Sequence, residues 1–213
     1  MATTGGPDIV TDGLVLALDA GSTRSYSGSG TTVSSLVGSI SGTLENGVGF
    51  NSGNGGYWDF DGVNEYIDFG DDCPTGNFSI SSWIYKAGSS GWYAIFSAGT
   101  EIWFGLNDNG RILAHVGGPL FQTTGVVGIN AWHQCTLTWD GTTGRIYVDG
   151  AQVVSSTSLD SPIATGYDIG KLSTSATYNA FNGYISQFLL YSGKALTAAE
   201  VTQNYNAQKN RFI

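Results

Sequence analysis

Cationic residues are scarce in this sequence. Eight Lys and Arg stand against 17 Asp and Glu in 213 residues, a formal net charge of −9. Nucleic-acid binding rests on clustered Lys and Arg that neutralise phosphate, and this balance speaks against it. It speaks equally against an anionic membrane surface. Charged residues of both signs make up only 12% of the chain, about half the ~25% of an average globular domain. The two cysteines, Cys73 and Cys135, are too few for a disulfide framework. Cys73 precedes Pro74 in a predicted loop and Cys135 falls inside a strand pattern, so two free thiols are expected, one of them buried. No run approaches the ~20 apolar residues that span a bilayer. The opening MATTGGPDIV has neither the basic region nor the apolar stretch of a secretory signal, and the chain is expected to be made and kept soluble in a cytoplasm. Prolines number 4 and glycine shows no periodic repeat, which sets aside collagen-like and disordered readings.

What is abundant is glycine, at 32 residues, together with aromatics at 13%. With many serines and threonines, this suits short strands joined by tight turns, and all-β sandwiches often reach this length as one domain. Met1 to Asp8 reads as a flexible arm. Leu14, Leu16 and Leu18 alternate with Val15, Ala17 and Asp19, a first strand. Gly56 to Gly70 reads as two strand pieces joined at Asp61-Gly62, where glycine accepts positive φ. In Phe78 to Tyr85, Phe78, Ile80 and Ile84 share one face, Trp83 and Tyr85 the other. Tyr93 to Ala98 and Glu101 to Leu106 follow. Asn107 to Gly110 is a hairpin turn, and Arg111 to Val116 the return strand. Cys135, Leu137 and Trp139 alternate with Thr136 and Thr138. Arg145 to Val148, Asp168 to Gly170 and Tyr184 to Tyr191 complete the set, the last apolar on both faces and so predicted central.

One helix is predicted, over 197–207. Thr197 and Glu200 form a capping box, with Leu196 and Val201 placed as a hydrophobic staple. Lys209 and Arg211 lie near its C-terminal end, where the dipole favours cations. Strand–helix alternation is missing, so a parallel sheet is not expected. The predicted fold is all-β, a two-sheet antiparallel jelly-roll sandwich over 9–207 with one short C-terminal helix and a tail over 208–213.

Four stretches resemble one family. Gly13 to Ala20 (GLVLALDA), Phe60 to Ile67 (FDGVNEYI), Trp132-His133 with LTWDG at 137–141 and IYVDG at 146–150, and Gly183 to Glu200 with the tail to Phe212 are together similar to laminin-G-like, concanavalin A-like jelly rolls of bacteriophage structural proteins. The resemblance implies a non-enzymatic virion protein. It would be a surface-exposed decoration, fibre or tail-associated subunit, partnered by other virion proteins and by copies of itself, for instance as a trimer, and contacting host surface polysaccharide. The arm and tail would then dock neighbours. The alternative is a free-standing carbohydrate-binding lectin. A polysaccharide hydrolase is disfavoured.

The chemistry agrees with that ordering. Polysaccharide hydrolysis needs two carboxylates flanking one bond, and Glu65 and Asp68, three apart, point to opposite faces of a strand. Glu101 and Glu200 stand alone. His115, His133, Cys73 and Cys135 make neither a nucleophile elbow nor a zinc spacing. The resemblance leaves calcium as a conceivable cofactor, with Asp59, Asp61, Asn64 and Asp140 as oxygen ligands and Asp71 and Asp72 nearby. Otherwise those aspartates are turn formers and a solvated loop. For glycan binding the candidates are Trp92, Tyr93 and Trp103, with Asn107 and Asn109 on the adjacent turn. Trp58, Trp83, Trp132 and Trp139 are expected in the core.

Overall fold

The computed structural model describes residues 8–73, 76–87, 92–125, 127–162, 166–172 and 180–213, with backbone only at 71 and 72. Of the predicted arm, residues 1–7 lie outside the described residues.

Two eight-stranded antiparallel sheets face each other. Sheet A contains β1 (Leu14–Asp19), β4 (Gly49–Asn51), β5 (Tyr57–Asp61), β7 (Phe78–Lys86), β12 (Trp132–Trp139), β13 (Gly144–Val148), β14 (Ala151–Ser156) and β16 (Asn182–Ser192). Sheet B contains β2 (Thr32–Ser34), β3 (Ser41–Glu45), β6 (Tyr66–Asp72), β8 (Tyr93–Ala98), β9 (Ile102–Leu106), β10 (Ile112–Val116), β11 (Phe121–Gln122) and β15 (Gly166–Ile169). Sheet A runs β14-β13-β12-β7-β16-β5-β4 with β1 also on β16, and sheet B runs β11-β10-β9-β8-β15-β6-β3-β2. The all-β sandwich with one C-terminal helix is as predicted, and β16 is central.

Period-two patterning builds the core. Phe78, Ile80 and Ile84 point between the sheets with Cys135, Leu137 and Trp139 of β12 and Ile102, Phe104 and Leu106 of β9. Phe96 of sheet B stacks on Phe188 of sheet A with centroids 5.8 Å apart. The alternation breaks in β1, where a register shift lies between Leu14 and Leu16. Leu16 and Leu18 enter the inter-sheet core, while Leu14 packs on the outer face of sheet A. A bulge adds a residue that pattern counting cannot see.

Part of that outer face is covered by the chain ends. Helix α1 (Ala198–Gln208) is capped by Thr197 through the predicted capping box. It lays Val201 against Tyr147, Leu189, Tyr191 and Leu196, with Val10 and Ala17 from the N-terminal side. Asn204 joins the two ends: its Oδ1 accepts from Val10 N at 2.8 Å, and its Nδ2 donates to the Tyr191 hydroxyl at 2.9 Å. Gln208 Oε1 accepts from both Trp83 Nε1 (3.0 Å) and Gln134 Nε2 (2.9 Å). Lys209 and Arg211 fall in a following 3₁₀ turn rather than on the helix. The Arg211 guanidinium reaches Asp19 at 2.8 Å and the carbonyls of Gly55 and Gly56, a stronger arrangement than a dipole contact. Phe212 stacks on Trp83 with centroids 4.3 Å apart and lies 5.1 Å from Trp132. Trp58 and Trp139 are in the inter-sheet core as expected. Trp83 and Trp132 are instead buried on the outer side, beneath Phe212.

Candidate functional site

Five of the six tryptophans are buried, and Trp92 is the exception at 44% exposed. It immediately precedes β8, whose Tyr93 pairs with Leu106 at the far end of β9. Trp92 therefore lies at the Asn107 end of the hairpin. Its ring rests on that of Trp103, with centroids 5.4 Å apart and planes at 38°. Trp103 is 5% exposed and packs with Ala94 and Leu113 on the outer face of sheet B. Among the described residues its indole Nε1 has no hydrogen-bond partner.

The rest of the predicted glycan set divides. Asn109 is exposed on the turn. Asn107 is buried and committed to that turn, its Oδ1 accepting from Arg111 N at 3.0 Å and its carbonyl from Gly110 N at 2.9 Å. Tyr93 points between the sheets and is 2% exposed, with the Lys86 ammonium 5.1 Å from its ring centroid. The outer surface thus carries Trp92, Trp103 and Asn109, but not Tyr93.

Beside Trp103 runs a row that the sequence did not reveal. Register aligns His115 with Trp103, Trp103 with Ser97, Ser97 with Asp168, Asp168 with Asp68, Asp68 with Thr43, and Thr43 with Thr32. At ~4.8 Å per strand this polar line is roughly 29 Å long. Asp68 and Asp168, distant in sequence, are cross-strand neighbours. Each already has a partner: Asp68 Oδ1 accepts from Gly70 N at 2.9 Å, and Asp168 lies 3.6 Å from Lys171 Nζ. Alternating polar residues in strands of opposite direction were the available signal, but only the strand order aligns them.

The aspartates proposed for calcium do not converge. Asp59 and Asp61 lie on the outer face of β5, whereas Asp140 follows the far end of β12, about 25 Å along the strand. The oxygens of Asp140 are taken by Thr142, Thr143 and Arg145, the last at 2.6 Å. Burial pushes its carboxyl up, but Arg145 and the threonine hydrogen bonds outweigh this and hold it well below the usual carboxylate range. Asp61 Oδ1 caps Val63 N at 2.7 Å, and the Asn64 carbonyl accepts from Asn46. The side chains of Asp71 and Asp72 lie outside the described residues. Among the described residues no group of three or more His, Cys, Asp or Glu side chains is placed to hold a metal, and Asp140 is too far from Asp59 and Asp61 to share one ion with them.

Nor do the nucleophile candidates assemble. Both cysteines are free, as expected, and both are buried where only one was expected to be. Burial pushes the Cys73 thiol up to about 12, and burial and then Asp149 push Cys135 up. Neither is a thiolate at neutral pH. His133 Nδ1 contacts Asp149 Oδ2 at 2.7 Å, and Asp149 Oδ1 also accepts from Gln134 N, so this pair fixes the β13–β14 turn. Glu200 serves the helix cap and an ion pair with Lys194 at 2.7 Å.

Two facing sheets of this strand order match a known family over most of their length. A laminin-G-type family model, that of the concanavalin A-like lectin/glucanases superfamily, matches residues 60–202. The chain belongs to this superfamily. Among solved structures, Trypanosoma rangeli sialidase in complex with sialic acid is 17% identical, over 97% of this chain and 35% of its own, with a TM-score of 0.74. The chain thus spans about a third of the sialidase. Domain 4 of a GH43 extracellular arabinanase from Geobacillus stearothermophilus, in complex with arabinotriose, is 16% identical over 90% of this chain and 98% of that domain (TM-score 0.70). The binding domain of Paraclostridial Mosquitocidal Protein 1 is 17% identical over 93% of this chain and 53% of its own (TM-score 0.72). At these identities the likeness is one of fold. No curated protein matches in sequence. As a concanavalin A-like chain, this one has the sandwich and the lectin-like fold.

Proposed function

We propose that this chain is a non-catalytic glycan-binding module whose setting is the surface of a bacteriophage particle. The observation that carries the first part is the exposure of Trp92. Burying an aromatic ring is favourable, and here five indoles are buried while one is left half open over another. An open indole beside an exposed amide, that of Asn109, is chemistry that holds a sugar, with the sugar's apolar face on the ring and its hydroxyls toward the turn. The arabinanase domain, seen with arabinotriose, supports a carbohydrate ligand for a fold of this kind. The second part rests on the order and spacing of the GLVLALDA, FDGVNEYI, LTWDG and IYVDG stretches. Self-association with closed symmetry, as a trimer, would multiply Trp92 and raise avidity.

A glycan array followed by titration tests the binding. At least one neutral or host-surface glycan should bind, and Trp92→Ala should weaken it about 30-fold, the scale of a hot-spot aromatic, with the unfolding midpoint unchanged. No binding to any glycan at millimolar concentration would remove this reading. Hydrolysis of the bound glycan, lost on Asp68→Asn or Asp168→Asn, would make the module an enzyme instead. Mass spectrometry of purified particles tests the setting, and particles lacking this chain would count against it.

A further inference from the structure

The outer face of sheet A carries a feature that the reading above does not use. Register sets Trp132 beside Tyr85, Tyr85 beside Tyr184, and Tyr184 beside Asp59. Tyr57 and Asp61 flank Asp59 on the same face of β5. Ring centroids are 4.4 Å apart for Tyr57–Tyr184, 5.0 Å for Tyr85–Tyr184 and 5.6 Å for Tyr85–Trp132. The two tyrosine pairs are close to parallel, with interplanar angles of 31° and 21°. Rings this close, rooted on strands ~4.8 Å apart, stand on edge and cover one another's faces. They turn hydroxyls and ring edges outward. The β16 register shift between Ile185 and Gln187 keeps Tyr184 in line with Tyr85 while returning Gln187 to Trp83. Gly183 allows the close approach, since a Cβ there would lie 2.1 Å from the Tyr85 carbonyl oxygen.

The outward groups face solvent. All three tyrosines are half-exposed, and among the described residues none of their hydroxyls has a protein hydrogen-bond partner. Each hydroxyl can donate and accept. Burial pushes the Tyr184 pKa up, and Asp59 and the hydroxyls of Tyr57 and Tyr85 push it the same way, which places these groups in one electrostatic neighbourhood. Asp59 and Asp61 are exposed. Burial and then Asp61 raise Asp59, and among the described residues neither aspartate is in an ion pair with Lys, Arg or His. Arg211, on the same side of the sandwich, is committed to Asp19. The row therefore offers three free hydroxyls and an uncompensated negative end, bounded by Trp132. A ligand complementary to it is rich in hydroxyls and bears one positive charge.

We propose that this row is a second binding site, for a glycan carrying a free amine: its hydroxyls exchange hydrogen bonds with Tyr57, Tyr85 and Tyr184, and Asp59, backed by Asp61, holds the ammonium. It shares with the reading above only the carbohydrate class of ligand. The two sites lie on opposite outer faces of the sandwich and have no residue in common, so one chain could hold two glycan strands.

The test is titration calorimetry of the intact chain at low salt with three probes: glucosamine oligomers, their fully N-acetylated counterparts, and galacturonate oligomers. The free-amine oligomer should bind about tenfold tighter than the acetylated one, the scale of one charge-assisted contact, and the uronate should not bind to this row. Asp59→Asn should abolish the preference. The triple change Tyr57→Phe, Tyr85→Phe, Tyr184→Phe, which keeps all charges and rings, should weaken free-amine binding about tenfold. Asp108→Asn, which removes an exposed carboxylate on the β9–β10 turn, should leave it unchanged. Equal binding of acetylated and free-amine oligomers, or no free-amine binding at all, would overturn the proposal. So would an amine preference that survives Asp59→Asn or is indifferent to the three hydroxyls, because that is bulk attraction to a chain of charge −9. Loss of Trp92-dependent binding with this pattern intact would remove the earlier reading and leave this one standing.

Discussion

The two outer faces of the sandwich are finished differently. On sheet A, the N-terminal segment, helix α1 and the tail fold back over the sheet, and Trp83, Tyr147, Tyr191 and Trp132 are buried by the chain's own ends. On sheet B, a polar row crosses the sheet and an indole is left half open at its end. The same strand alternation that makes one core has to do something with two outward faces. The apolar outward residues call for a cover, since uncovered aromatic area costs roughly 25 cal/mol per Å², and the chain supplies that cover where they cluster. Where the outward residues are polar, a lighter cover suffices: Ser97 and Asp168 are buried, while Trp92 stays half open. Stability should therefore reside in the part of sheet A that the chain ends cover, and Trp92-dependent binding in the sheet B face.

The largest expected effect tests that division. Removing residues 209–213 uncovers Trp83 and Trp132 and leaves the Asp19 carboxylate without its guanidinium. It should lower the stability of the chain by about 3–5 kcal/mol in urea unfolding, on the scale of a lost buried aromatic plus a broken charge-assisted bond. Trp92→Ala, on the other face, should change it by less than ~1 kcal/mol. Equal costs would erase the distinction. A smaller change sharpens it: Thr197→Ala removes the cap that starts α1 and should cost about 1 kcal/mol, read as a lower urea midpoint with glycan affinity intact.

The smallest effect is a pH dependence. The folded pKa of Asp140 lies below its unfolded value, so the folded state binds fewer protons. Its stabilisation is complete above the unfolded value near ~4 and is lost as pH falls below it. Asp140→Asn should flatten this part of the acid limb. Asp59 and Glu65 are raised, by burial first, and have the opposite sign: their protonation on acidification favours the folded state. Asp59→Asn should therefore steepen the acid loss slightly, and urea midpoints between pH 3 and 7 would show both.

The layout was legible because alternation and turns are local. Phe78 to Tyr85 announced its two faces, Thr197 and Glu200 their helix, and Tyr184 to Tyr191 its central place. Leu14 was assigned to the wrong face because a bulge shifts parity without leaving a mark in composition. Trp83 and Trp132 were assigned to the core without the knowledge that Phe212 would cover them from outside. Trp92 and Trp103 were found as a pair, since both flank one hairpin. Tyr93 was grouped with them by adjacency, although the next residue along a strand faces the other way. The Asp68–Asp168 neighbourhood and the tyrosine row were out of reach. Each joins residues from strands brought together only by strand order, and no spacing along the chain encodes that order.

On the proposed function, Trp92 is the indole that a glycan covers. Acrylamide quenching of tryptophan fluorescence measures this directly, because the other five indoles are buried. One accessible component is expected in the free chain. It should be protected when a bound glycan from the array is added, and it should be missing from Trp92→Ala. A glycan that binds while leaving the quenching of Trp92 unchanged would contradict the claim.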